Sequence, residues 1–547
     1  MHGSPVFKSS VLCATSCDGT HLATLVHNKL LIREVRTLHA IHEVIVSSDV
    51  ASSAFLLLWA PSSTKILVAA TDRLVVYSAF DNSFKAVVKS PASSAARPSH
   101  VQFGPTDKEL VVVSQFGLRL ALVNLVASSA IEIAHPKFGQ PRGFSFRAGS
   151  KHLALLTRFS GKDCISIHTP ESRAIDTSFY PDTIDAQGVA WVSNGRWLAV
   201  WESPAQGHKV LLYTPDGHLF NTWTGPPDNA SEPQHYDIGA GVKHCHLDAS
   251  TMKAALCDYT RAITILDLSV GHQLVRLVHP QMVIPVNTLQ VWQEQQRDKT
   301  ATIQSSFMRT THAFSPPERK SLAPVGSETI PGCLMAEFDS SSNLLATVVE
   351  EYRSTLWIWD LTDSDLRAVV LFHGSISRIS WHPQTPELLL ITTAAAEGGP
   401  SNAAYVWDPL SEGPRAMPFP AQPVKPGKAV PRLRAHWVAH MTEPPVVLLN
   451  DGSNGTMVAL SEEGEQQVDS KMGNDGLWEN AVLTAKVLHK SAPNMKLVED
   501  VEMTFTDDGT TKLDDTFFFK GVKPSAEGGL REKPKGNPLL QKAHLRK

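Results

Sequence analysis

Lys243-His244-Cys245-His246 is the stretch of this chain whose residue types come closest to a chemical site, because histidine and cysteine are the usual zinc ligands. On an extended strand His244 and His246 share one face and Cys245 takes the other, so the three cannot converge on one ion. No second ligand cluster lies at a metal-site spacing, and no metal or cofactor is expected. The acidic pairs Glu350-Glu351 and Asp514-Asp515 fall in a turn and in a polar tail. Two carboxylates acting as acid and base need different, partly buried surroundings, which a hairpin tip does not supply. With no H-E-x-x-H, G-x-S-x-G or phosphate-binding glycine loop, catalysis is not expected. Ser315, in Ser315-Pro316-Pro317 followed by Glu318-Arg319-Lys320, is a candidate phosphosite, since added phosphate charge would meet basic neighbours there. Thr169-Pro170 and Thr214-Pro215 show that the same dipeptide also serves plain turns.

The elements that must carry these residues are short strands. Gly332 to Phe372 breaks into four apolar runs, Leu334 to Phe338, Leu344 to Val349, Leu356 to Trp359 and Leu366 to Phe372, with turn clusters between them and Trp359-Asp360 ending the third. Four strands in about 40 residues with that ending describe one WD-type propeller blade. A lone four-stranded sheet cannot bury both faces, so its neighbours must be more of the same.

Equivalents of Leu345 in the second strand recur at Leu22, Ile66, Leu110, Leu153, Leu198, Ala254, Leu388 and Val446, the first five 43–45 residues apart. The chain is therefore expected to be an all-β WD40-type propeller of eight or nine degenerate blades spanning 6–464. Trp359, Asp360, Trp407 and Asp408 are its two intact structural Trp-Asp pairs; elsewhere the slot holds Tyr77-Ser78, Val123-Asn124, His168-Thr169, Tyr213-Thr214 and Leu266-Asp267. Pro5 to Ser10 are placed to supply the outer strand of the last blade and so close the ring.

Two of the intervals that exceed the period have a composition of their own. Residues 279–330, rich in Gln, Thr, Ser and Pro, read as a long excursion, with Val286 to Trp292 able to form a strand of an extra blade. Residues 411–432 hold Pro414, Pro418, Pro420, Pro423, Pro426 and Pro431 and read as a surface linker. From 465 to 547 the rhythm stops, and a flexible tail is expected. It contains Phe517-Phe518-Phe519, a candidate docking element for a partner or for the ring itself, and a basic end from Arg531 to Lys547.

Composition narrows the class. The chain has 547 residues, 42% hydrophobic, with a formal net charge of −4. Such a charge does not suit a nucleic-acid binder relying on overall basicity, and no run of about 18 apolar residues suggests a membrane span. Neither nucleic acid nor membrane is an expected partner, and no signal-peptide layout is present. The six cysteines, Cys13, Cys17, Cys164, Cys245, Cys257 and Cys333, are scattered, as reduced core thiols would be.

Beyond the generic repeat, the order of features resembles the WD-repeat protein eight family of centrosome and spindle-pole proteins, including fungal members. The residues that carry it are Val6-Phe7-Lys8, Cys17 to Ala23 (CDGTHLA), Arg33 to Leu38 (REVRTL), Gly188 to Gly195 (GVAWVSNG), Trp197 to Trp201 (WLAVW), Lys209 to Tyr213 (KVLLY), Asp216 to Leu219 (DGHL), His279-Pro280 and Leu356 to Asp360 (LWIWD). The resemblance covers roughly 6–460. The tail departs from it, and the excursion matches in position more than in sequence. It implies a non-enzymatic scaffold at the microtubule-organising centre, cytoplasmic and cytoskeletal, at the spindle pole body or centrosome. It further implies binding to a coiled-coil spindle-pole adaptor and a minus-end kinesin-14, with the gamma-tubulin complex as a further candidate partner, to anchor microtubule minus ends. The alternative on the same fold is an adaptor for ubiquitin-ligase substrates or ribosome assembly.

Overall fold

Side-chain alternation in the second strands dictates the architecture. In Lys65–Ala70 every residue after the lysine is buried, yet the two faces go to different neighbours. Ile66, Val68 and Ala70 join a cluster with Leu30 and Ile32 of the preceding sheet, while Leu67 and Ala69 pack against Val101 and Leu110 of the next. Leu344–Val349 repeats the pattern, with Leu345 and Val349 on one side and Leu344, Ala346 and Val348 on the other. A strand apolar on both faces is stable only between two sheets.

The computed structural model describes residues 1–89, 97–225, 241–299, 302–318, 332–394, 403–419, 432–439, 444–460, 478 and 501–504. These form nine sheets, each built on an antiparallel meander and called blades 1 to 9 in chain order, joined blade to blade into a WD40-type propeller. The first strands, which touch one another where blades 1 and 2, 4 and 5, 6 and 7, and 7 and 8 meet, are Cys13–Thr15, Ala54–Trp59, His100–Phe103, Phe144–Phe146, Ala186–Val192, His244–Leu247, Cys333–Phe338, Ile376–Trp381 and Arg434–Val438. Among the described residues nine apolar clusters form the core, and each spans two successive blades, including the pair formed by blade 9 and blade 1. The circle therefore closes on itself. Closure is made by the chain start: Phe7 and Lys8 pair with Gly455 and Asn454, and His2 and Gly3 with Ala459 and Val458.

Inner-strand tryptophans tie one blade to the one before it. The indole N–H of Trp59 donates to the Ala14 carbonyl (2.9 Å), Trp381 to Glu337 (2.8 Å) and Trp437 to Ser380 (2.9 Å). Asp360 accepts the Thr362 amide (2.9 Å) and Asp408 that of Leu410 (2.9 Å), capping the turn before the fourth strand. Three of the five degenerate slots retain that chemistry. Asn124 accepts from Val126 and Ala127, Thr214 from His218, and Asp267 from Ser269. At these positions a short acceptor serves the turn whether or not it is aspartate, while in blade 2 Asp81, three residues past Ser78, takes the Ser83 amide instead.

The excursion takes a different form from an extra blade. Gln290–Lys299 runs parallel to Asp365–Leu371, the fourth strand of blade 7, and folds back as a hairpin on Thr302–Arg309, so blade 7 has six strands. Trp292 enters the core shared by blades 7 and 8. Buried Glu294 accepts from Ser305 (2.6 Å), from the Tyr405 hydroxyl of blade 8 (2.7 Å) and from the His373 amide (2.7 Å). Gly413 lies so close to Trp292 and Phe307 that an added Cβ would sit 2.9 Å from the indole. Within the proline-rich stretch, Arg415–Ala416 forms the short fourth strand of blade 8 between Pro414 and Pro418; 420–431 lie outside the described residues. Val501–Thr504 adds a parallel strand to the outer edge of blade 2.

His279 closes a buried relay across blades 6 and 7. Its Nδ1 meets the Arg261 carbonyl at 2.6 Å and so carries the proton, leaving Nε2 to accept from the Thr347 hydroxyl at 2.8 Å. Thr347 Oγ1 in turn accepts from the Trp359 indole at 3.1 Å. Burial pushes the His279 pKa down to about 4, and burial likewise lowers those of His382 and His436 to about 4. In the unfolded chain these imidazoles take up a proton near pH 6.5, whereas the folded ring refuses it until about pH 4, so folding stability is fully present above pH 6.5 and falls between those values. The thermal midpoint is therefore expected to drop steadily from pH 7 to pH 5 in scanning calorimetry, and His279→Gln to flatten that slope while lowering the midpoint at pH 7.

Candidate functional site

Because neighbouring strands are antiparallel, the turns from second to third strand and the links from one blade to the next emerge on the same face of the ring. Over blades 3 to 5 that face carries Phe116 and Leu118 in the blade 3 turn, Phe159 at the end of Leu153–Phe159, and Tyr180 and Ile184 in the link to blade 5. All five side chains are exposed, Phe116 by 87%. Phe116 also borders an open cleft of about 700 Å3 with Phe55, Leu56, Leu58, Arg97 and Pro98. Such a run of exposed apolar groups on one face is the usual mark of a protein-binding surface.

The loops that display these side chains are held rigidly. Lys137 reaches Asp163 at 2.7 Å and Asp185 at 2.9 Å, tying the links on both sides of blade 4 to its central hairpin. Asp163, whose side chain is fully buried, also accepts the Ala186 amide at 2.7 Å. Arg158 completes the group on Asp185 at 2.5 Å. Burial would raise the Asp185 carboxyl, but the hydrogen bonds and charges of Lys137 and Arg158 outweigh it and hold it below the usual carboxylate range. Glu202 grips the tip of the next loop, accepting the Ile184 amide at 2.9 Å and the Asp185 amide at 2.6 Å. Gln115 and Phe116 sit at φ 51° and 58°, left-handed backbone that costs a non-glycine residue of order 1 kcal/mol each and concentrates at functional positions.

The other sequence candidates are dispersed. His244 and His246 lie on one face with ring centroids 6.0 Å apart, while Cys245 packs into the core between blades 5 and 6. Burial pushes the Cys245 thiol up to about 12 and, with His244 nearby, the His246 imidazole down to about 4. All six cysteines are free. Glu350 pairs with Arg353 and Glu351 with Arg261, so the two carboxylates serve separate partners. Ser166 Oγ does meet His168 Nε2 at 2.9 Å, with Nδ1 held by the Arg173 carbonyl at 2.9 Å. Both side chains are buried in blade 4, so the pair orders the sheet. Trp359 and Trp407 are core residues. Ser315 is exposed, directly after the bridge between Phe314 and Val283; Phe517, Phe518, Phe519 and Asp514-Asp515 lie outside the described residues. Sequence reasoning did not find Phe116, Phe159 or Ile184; the available signal was an apolar side chain placed in a turn between two strands.

No protein-family model matches the chain. Over 429 residues it is 25% identical to WD repeat-containing protein WRAP73 of Mus musculus, covering 75% of this chain and 87% of that protein. It is 23% identical to an uncharacterized WD repeat-containing protein of Schizosaccharomyces pombe, covering 85% and 92%. Among solved structures, the C-terminal WD40 domain of Sif2 superposes with a TM-score of 0.43 at 9% identity, covering 76% of this chain and 98% of that one.

Replacing Asp163 by alanine removes the partner of a buried ammonium and of the Ala186 amide. A loss of about 3–5 kcal/mol in urea unfolding is expected, against no measurable loss for the exposed pair-forming Lys29→Ala.

Proposed function

This chain belongs to the WD-repeat proteins, and from that premise we propose that it is a non-enzymatic scaffold of the microtubule-organising centre. It binds a coiled-coil spindle-pole adaptor and, with it, a kinesin-14 motor, so as to anchor microtubule minus ends at the spindle pole body or centrosome. The apolar face over blades 3 to 5 carries this reading. Phe116, Phe159 and Ile184 stand on loops pinned by buried ion pairs, which suits an amphipathic helical segment laying its apolar stripe across them. In such interfaces a few buried aromatic anchors supply most of the affinity. The family resemblance of 6–460 supports the choice of adaptor and of site in the cell. The polar groups described above are spent on holding blades and turns, which suits a platform.

Exposed Ser315 beside the blade 7 hairpin is the place where a phosphate would alter such an assembly without touching the core.

The test is a full-length fluorescent fusion followed through mitosis, beside the triple variant F116D/F159D/I184D. The parent is expected at discrete spindle-pole foci with the adaptor recovered on pulldown. The triple variant should lose both, with adaptor affinity down by about 100-fold or more and the thermal midpoint unchanged, since all three side chains are exposed. Diffuse or nucleolar signal from the parent, with ribosomal or ubiquitin-ligase components recovered instead, rejects the reading.

A further inference from the structure

The join between blade 9 and blade 1 differs from the other eight because it is the only one where the two blades are not consecutive in the chain. Its outer ladder is short. Two two-residue strands, His2–Gly3 and Phe7–Lys8, replace the single longer outer strand of most blades. Into the core of that join comes Trp478, 19 residues past the last strand of blade 9, Asn454–Ala459. Its side chain is 4% exposed, among Leu22, Val35, Val446, Met457 and Ala459. The indole N–H donates to the Val35 carbonyl at 3.0 Å and the backbone amide to the Arg36 carbonyl at 3.3 Å. The His2 ring stacks on the indole at 6.0 Å with 18° between the planes. Trp478 also holds φ 66°, a backbone region that a bulky side chain keeps only where its surroundings over-determine it.

We propose that the join between blades 9 and 1 is a binding site for a tryptophan-bearing peptide segment, which Trp478 of the chain itself fills, acting as a latch on ring closure. The site has the parts such a ligand needs. An apolar slot takes the ring, the Val35 carbonyl takes the indole proton, the Arg36 carbonyl takes a backbone amide, and His2 provides a stacking lid. His2 belongs to the closing strand, so the latch holds the ladder and the core of the join together. A chain whose Trp478 is withdrawn keeps eight intact joins and one weakened one.

The experiment uses full-length W478A and a synthetic peptide of residues 471–486, with the same peptide carrying alanine at 478 as control. Amide hydrogen exchange in W478A should rise about tenfold or more in His21–Val26 and Val446–Asn450 while Trp197–Glu202 in blade 5 stays unchanged, and the thermal midpoint should fall by about 5 °C. The tryptophan peptide should bind W478A and restore protection at the join; the alanine peptide should not. Unchanged exchange at the join, a uniform rise in all blades, or a tryptophan peptide that gives no protection would each overturn the proposal. Should W478A not accumulate folded, W478F, which fills the slot without the N–H, is expected to raise exchange at the join by a smaller factor, and no rise there overturns the proposal as well.

Discussion

Every blade of this ring is a sheet with two apolar faces, and no blade can bury both by itself. That constraint makes each join a shared core, and closure of the circle covers the two end blades as the other joins cover the rest. The side chains of Lys65–Ala70 show it at one strand, dividing alternately between two neighbours. The hydrogen bonds from Trp59, Trp381 and Trp437 to the preceding inner strand then set the angle at which blades meet, so that apolar burial supplies cohesion and directed polar contacts supply geometry.

Polar chemistry in this molecule is subordinate to that scheme. Glu294, Asp163 and His279 are buried, and each is satisfied by partners on another strand or blade. A buried charge left without such partners would be costly, so these groups specify which loop sits where. Glu294 locks the extra hairpin onto blade 8, and Lys137 with Asp163 fixes the loops that lift Phe159 and Ile184 into solvent. The exposed apolar face is thus a rigid one, which lowers the ordering cost of binding.

Much of this was legible in the residues alone. All nine second-strand anchors fall in or beside second strands of the structure, because an apolar run bounded by turn clusters, and repeated every 43–45 residues over the first five, admits few other readings. Closure by the chain start was legible for the same reason, since the last blade was one strand short. The hairpin at Gln290–Lys299 was not, because its Gln, Thr and Ser residues carry no apolar period and a parallel partner such as Asp365–Leu371 leaves no local trace. Trp478 was hidden in the same way, a lone aromatic in a polar stretch whose hydrogen-bond partners lie more than 400 residues earlier. The pairing of Lys137 with Asp163 joins different strands and has no spacing rule to betray it.

The strand that completes blade 9 is made long before its partners, which are among the last of the ring. Phe7 waits for Gly455; at ordinary elongation rates of about 5–20 residues per second that wait lasts from about 20 seconds to a minute and a half. Throughout it the earlier blades stand as an open arc with an unsatisfied apolar sheet at each end. Exposed apolar sheets and unpaired edges of that kind are what favour swapped or chained assemblies between neighbouring copies.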